Sequence, residues 1–263
     1  MYNLTAAPEM VYPATPLTEA LARTRERVTT VNTRWGLQDL PPALLPPNAS
    51  LAYGWRDAQG YDSLLLGRTR HLLDVLAERP EGAAPLANGN IAYVKNPGSP
   101  LQPLLGARWV VSQEPLQRAG LLPADGFPPG PPHVYEDRLA VPEAYTVTDW
   151  FTAPDDEGLA RLREIGPAGL ANTALVAPGP GVLAPNPDTR GLTRGVPAIL
   201  ERRSPQKLVV RAEPADRALL VLVESYAPGW TATVTEPGKP PRKAPIVRVN
   251  TAFARFFGRS ADE

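Results

Sequence analysis

The sequence predicts an α+β fold in two parts: a mixed α/β unit over about 1–145 and a β-sandwich over about 146–263. Three observations carry this. Proline occurs 33 times in 263 residues, about 2.5 times the usual ~5%, which cuts the chain into short elements and argues against a helical bundle. The two longest amphipathic helical patterns lie in the first half, over about 16–27 and 63–78. From about Pro197 onward, short β-type runs alternate with turn signals around one uncharged stretch, Ala218–Val223.

In chain order, Thr15-Pro16 is a helix start, with Thr as N-cap and Pro at the first helical position. Leu17, Ala20, Leu21 and Val28 supply the apolar stripe of the first helix. Pro41-Pro42 and Pro46-Pro47 hold an extended passage, and Leu51–Tyr53 reads as a short strand. Gly54–Asp62 (GWRDAQGYD) reads as a loop. The second helix follows, with Leu65, Leu72, Leu73 and Leu76 on one face. Ile91–Val94, Ala107–Val111, Val134–Glu136 and Ala144–Val147 read as strands, and Phe127–Pro132 (FPPGPP) as irregular chain. Asp155-Asp156-Glu157 opens a short helix reaching about Ile165, because acids in a first turn complement the helix dipole.

In the second part, Ala198–Arg203 and Lys207–Glu213 form a hairpin about Ser204-Pro205-Gln206. Ala218–Val223 has the length of a strand and no charge, which suits a strand covered on both faces. Pro228-Gly229 breaks it, and Trp230–Thr235 resumes with period-2 alternation. Pro240–Pro245 is another break, followed by strands over Ile246–Asn250 and Phe253–Phe257.

Composition sets further bounds. The 27 basic and 27 acidic residues cancel, which removes an electrostatic case for a nucleic-acid partner. With no cysteine there are no disulfides or thiolate sites, and with 2 histidines a His-based zinc site has little to build on. No apolar run approaches the roughly 20 residues of a membrane span. The opening MYNLTAAPEMVYP lacks the charged start and apolar core of a signal peptide. Taken alone, these features read as cytosolic. No phosphate loop is present, since Gly179–Gly181 lacks the Gly-Lys-Ser/Thr ending, and no nucleophile–base pair stands out.

Two groups of residues carry candidate chemistry. Arg56, Asp57, Tyr61 and Asp62 cluster in one segment. Acid and base beside a ring can contact a sugar, the charged groups taking hydroxyls and the ring covering the apolar sugar face. A lone Asp57 or Asp62 is also a general-base candidate. The competing reading makes Asp62 the cap of the next helix and Tyr61 a packing residue. Tyr226 and Trp230 form the second group, either an aromatic platform or a core plug. Arg108 reads as a paired strand residue or a phosphate contact. Neither His71 nor His133 has a partner motif.

Seven segments stand in this order along the chain: Leu45-Pro46-Pro47-Asn48, Gln59-Gly60-Tyr61-Asp62, Leu104–Val111, Val134-Tyr135-Glu136, Leu139–Tyr145, Ser225–Trp230 and Val249–Phe253. Together they resemble the C-terminal extracytoplasmic region of the bacterial YfhO-like membrane proteins. The resemblance implies a polytopic parent with a glycosyltransferase-C-like membrane core. Such a parent transfers sugars from polyprenyl-phosphate donors to cell-envelope polymers such as teichoic acids. On this reading the chain lies on the extracytoplasmic face of the bacterial membrane and is non-catalytic by itself. It needs no cofactor, and its partners are a glycan or lipid-linked sugar and a membrane reached through a missing transmembrane region.

The chain departs from the family pattern at Pro142-Glu143, at Glu236–Lys239 and at its end, Phe256–Ser260. Together with the missing membrane core, these departures read as a sequence cut at both ends, or shifted out of frame near its C-terminus, with a sandwich truncated at its C-terminal edge. A free-standing glycan-binding or scaffold module and a non-functional gene fragment are the alternatives.

Overall fold

The computed structural model describes residues 8–32, 44–45, 48–61, 67–77, 91–92, 94, 96–179, 195–204, 206–214, 217–224, 229–249 and 252–257. The chain forms two compact units, Met1–Ser99 with Ala107–Arg138, and Pro100–Gly106 with Leu139–Glu263. Residue 145, the boundary expected from the sequence, lies inside a strand of the second unit. Helices and several sheets coexist, so the architecture is α+β.

The first unit opens with α1 (Pro8–Val11), α2 (Pro16–Arg23) and β1 (Arg27–Val31). Thr15 caps α2 in a reciprocal box. Its Oγ1 accepts from the Thr18 N–H at 3.1 Å, and its own N–H donates to Thr18 Oγ1 at 2.8 Å. The helix stops at Arg23, short of the expected 27, because the β-branched run Val28–Val31 that follows favours a strand. Next come α3 (Ala49–Tyr53), β2 (Arg56–Asp57), β3 (Gly60–Tyr61), α4 (Gly67–Leu76) and β4 (Ile91–Ala92). Residues 51–53, expected as a strand, are helical. Asn48 (φ 69°) and Gly54 (φ 85°) bracket a single turn, and the glycine supplies the left-handed C-cap. In α4, Leu72, Leu73 and Leu76 are buried as the periodicity requires, while Leu65 lies outside the described residues.

The unit closes with β5 (Ala107–Ser112), β6 (Leu121–Pro123) and β7 (His133–Asp137). Its sheet has the order β2-β1-β5-β7-β6, with β1 parallel to β2 and β5 and the remaining pairs antiparallel. Alternation along the strands splits the core in two. Val28, Val111 and Val134 pack with Leu17 and Leu21 of α2 and with Trp55. Val31, Val110, Leu121 and Tyr135 form a second cluster. Asp137, fully buried, is held by Arg118 through an Nη2–Oδ2 contact of 2.5 Å.

The second unit contains β8 (Ala144–Val147), β9 (Asp149–Thr152), α5 (Asp155–Ile165) and β10 (Thr173–Val176). It continues with β11 (Val196–Pro197), β12 (Ile199–Ser204), β13 (Lys207–Arg211), β14 (Ala218–Leu222), β15 (Ala232–Val234), β16 (Arg242–Ala244), β17 (Ile246–Val249) and β18 (Ala252–Phe257). Seven strands form one sheet in the order β11-β8-β14-β18-β17-β10-β9. β14, the uncharged run, is buried along its whole length, with β8 on one side and β18 on the other. β18, the last described strand, is interior, paired with β14 and β17.

Two features of this unit depart from the expectation. First, β9 and β10 are parallel and joined through α5, a βαβ crossover inside a sheet otherwise paired antiparallel. Gly158 brings α5 close, since a methyl at that position would meet Leu175 Cδ2 at 2.2 Å. Second, β15 begins at Ala232 rather than Trp230, and the proline-flanked break at 240–245 contains β16, which pairs with β15. The β12–β13 hairpin forms as expected, and its Leu200, Leu208 and Val210 pack on Ala144 and Leu222 of the large sheet.

Candidate functional site

The segment 54–62, expected as a loop, contributes two short strands, β2 in the five-stranded sheet and β3 paired with β4. Arg56 and Asp57 form β2, in parallel register with Arg27 and Val28. The Ala58 N–H then donates to Val28 O at 2.9 Å. Asp57 Oδ1 accepts the Gln59 N–H at 3.0 Å, an aspartate closing its own turn. Gln59 is buried and acts as a strut: Nε2 donates to Thr30 O at 2.7 Å, and Oε1 accepts the Val94 N–H at 2.7 Å.

Burial is the largest influence on the Asp57 carboxyl and pushes its pKa up to about 7. Hydrogen bonds from Gln59 and Ala58 and the charge of Arg27 pull the other way without prevailing. A carboxyl near neutrality has the proton affinity of a general base. Its partners here, however, are the groups of its own turn and Arg27 of the neighbouring strand.

Arg56 and Asp57 are successive strand residues, so their side chains leave opposite faces. Arg56 Nη2 donates to Arg25 O, at the turn between α2 and β1. Tyr61 lies in β3, its backbone paired with Ile91. Asp62 and Tyr226 lie outside the described residues. Trp230 belongs to the second unit, where it is half-buried against Ala144 and Leu222. Arg56, Asp57 and Tyr61 therefore fall in a different unit from Trp230. Arg108 is paired, in contact with Glu136. Burial pushes the Glu136 carboxyl up, but Arg138 and Arg108 outweigh it and hold the pKa below its ordinary value.

The described surface concentrates the ingredients of a site elsewhere in the first unit. An open groove of about 380 Å³ is lined by Arg23, Arg25 and Glu26 from the α2–β1 turn, by Trp109 of β5, and by Asp125 and Phe127 from the β6–β7 loop. Trp109 stands at the start of its strand, opposite Val28 and Glu136, half-buried on the α2 side of the sheet. Phe127 comes from the proline-rich loop, where Gly126 (φ 81°) permits the bend. The two rings are 5.2 Å apart between centroids and inclined at 56°. Glu26 Oε2 lies 3.4 Å from Trp109 Nε1 and 3.3 Å from the Arg25 N–H, which fixes the indole's polar edge toward the α2–β1 turn.

The groove thus brings together two aromatic rings, two carboxylates and two arginines, the residue types sought by sequence at 56–62. Arg56 does not line it and is tied to its Arg25 by the hydrogen bond to that residue's carbonyl. Trp109 and Phe127 were absent from the sequence-level candidates. Trp109 lies in an apolar strand run and reads as core, and Phe127 lies in a proline loop with no periodicity. Their pairing depends on the β5–β7 registry, which no local pattern encodes.

Among the described residues, no group of three or more acidic or histidine side chains could hold a metal ion. The acidic run Asp155–Glu157 occupies the first turn of α5. No helix of the described residues is long and apolar enough to cross a membrane. No family model matches the chain, and no curated protein or solved structure matches it either.

Proposed function

We propose that this chain is a glycan-contacting module, non-catalytic by itself, that forms the extracytoplasmic portion of a YfhO-like membrane sugar transferase. The observation that carries the glycan part is the Trp109–Phe127 groove, with carboxylates and guanidinium groups around an aromatic floor. An indole face covers the C–H face of a pyranose ring, and the surrounding polar groups exchange hydrogen bonds with its hydroxyls. An open groove suits a polymer, which must enter and leave along its length.

The family part rests on the seven sequence segments. Membrane attachment and catalysis belong, on this reading, to a transmembrane core of the parent protein. The module would present or hold the acceptor polymer on the outer face. We read the second unit as a distorted β-sandwich, with the β12–β13 and β15–β16 ribbons as the second layer against the seven-stranded sheet.

Calorimetric titration of the chain with cell-envelope oligosaccharides tests the glycan part. Binding is expected, and Trp109→Ala should weaken it about tenfold or more, the loss of one aromatic platform. The melting temperature should fall, because Trp109 also packs against the α2-side core, so binding is compared at a temperature where the variant remains folded. A panel of neutral and charged oligosaccharides that all fail to bind would overturn the proposal.

A further inference from the structure

We infer that the Trp109–Phe127 groove selects an anionic sugar unit, its ring on the indole and its carboxylate or phosphate between Arg23 and Arg25. This rests on the glycan reading above and narrows it to a ligand class. The charges lining the groove look balanced, two arginines against Glu26 and Asp125, but they are not equally committed. Glu26 Oε2 already faces the Trp109 indole N–H and the Arg25 backbone N–H. Among the described residues, no ion pair joins Arg23 or Arg25 to a carboxylate.

Two guanidinium groups without an ion pair therefore line the groove, while Glu26 keeps its charge but has one oxygen turned to the indole and the Arg25 amide. Guanidinium presents a planar donor fork that matches carboxylate and phosphate oxygens, with charge-assisted bonds stronger than those to neutral hydroxyls. Asp125 is left to accept from the ring hydroxyls. Arg23 also lies in the last turn of α2, where a cation complements the helix dipole. That role requires neither Arg25 nor the aromatic floor, so the double substitution below tests more than it.

The test titrates the whole chain with three probes, methyl glucoside, glucuronate and glucose 6-phosphate, in about 0.05 M and 0.5 M salt. The expected result is that one or both anionic sugars bind about tenfold tighter than the neutral one at low salt, with the advantage shrinking at high salt. Preference for glucuronate identifies a carboxylate ligand, and preference for glucose 6-phosphate a phosphate ligand. The Arg23→Gln/Arg25→Gln double variant should lose the anionic advantage and keep neutral binding. Both sites are exposed, so a thermal melt should match the parent. Equal binding of all three probes by the parent chain, or an unchanged preference in the double variant, would overturn this inference and leave the glycan reading standing. Failure of every probe to bind would overturn this inference, and the oligosaccharide titration above then decides the glycan reading separately.

Discussion

Asp57 gives the sharpest quantitative expectation. Its carboxyl ionises near pH 7 in the folded chain, against 3.8 when free of these surroundings. Between those values the folded state keeps a proton that the unfolded chain releases, so folding loses stability as pH rises. The stabilising difference is fully present below about pH 4 and gone above about pH 7. At 1.36 kcal/mol per pH unit, the interval amounts to ~4 kcal/mol. Water reaching this partly exposed residue reduces that figure, so we expect about 2–4 kcal/mol. Asp57→Asn removes the charge at every pH and keeps an oxygen for the Gln59 N–H. The variant should match the parent near pH 4 and exceed it near pH 8 by that amount. Urea unfolding at a series of pH values, followed through Trp55 and Trp109 of the same unit, measures the difference directly. Other titrating groups cancel between the two proteins. A variant less stable than the parent at pH 8, or a difference that does not vary with pH, would refute the assignment of burial as the dominant influence.

Other substitutions probe the scaffold. Gln59→Leu strips partners from the Thr30 carbonyl and the Val94 N–H, and should cost about 2–4 kcal/mol. Hydrogen exchange should show the Val94 amide losing its protection first. Gly158→Ala gains up to about 1 kcal/mol of helix propensity but drives a methyl to 2.2 Å from Leu175 Cδ2. Overpacking of about 1–3 kcal/mol should leave the second unit destabilised overall, read from a thermal melt followed through Trp150. A stabilised Gly158→Ala would show that α5 is free to move away from β10.

The second unit was the more legible of the two. Ala218–Leu222 is uncharged and strand-length, and it lies between two neighbours with every residue buried, as a run with no polar face must. The β12–β13 hairpin and the α5 start at Asp155 also follow from local chemistry: a Ser-Pro-Gln turn, and acids at a helix N-terminus. Strands whose identity depends on partners were missed. Trp150 on β9 and Leu175 on β10 are buried only because α5 carries the chain across to make them parallel neighbours. In the first unit, Leu51–Tyr53 was too short for periodicity to separate strand from helix, and the flanking positive-φ residues decide it. The candidate site followed the same rule. Sequence proximity drew Arg56 and Asp57 together, whereas the fold sends their side chains to opposite faces and assembles the aromatic groove from residues as far apart as Arg23 and Phe127.

Saturation-transfer NMR on the whole chain with a mixed panel of neutral and anionic oligosaccharides tests the central claim most directly. The account predicts transfer to ring protons of the bound sugar, lost in Trp109→Ala at a temperature where a melting curve shows that variant folded. Transfer to no member of the panel, or equal transfer in the parent and in Trp109→Ala, would contradict it.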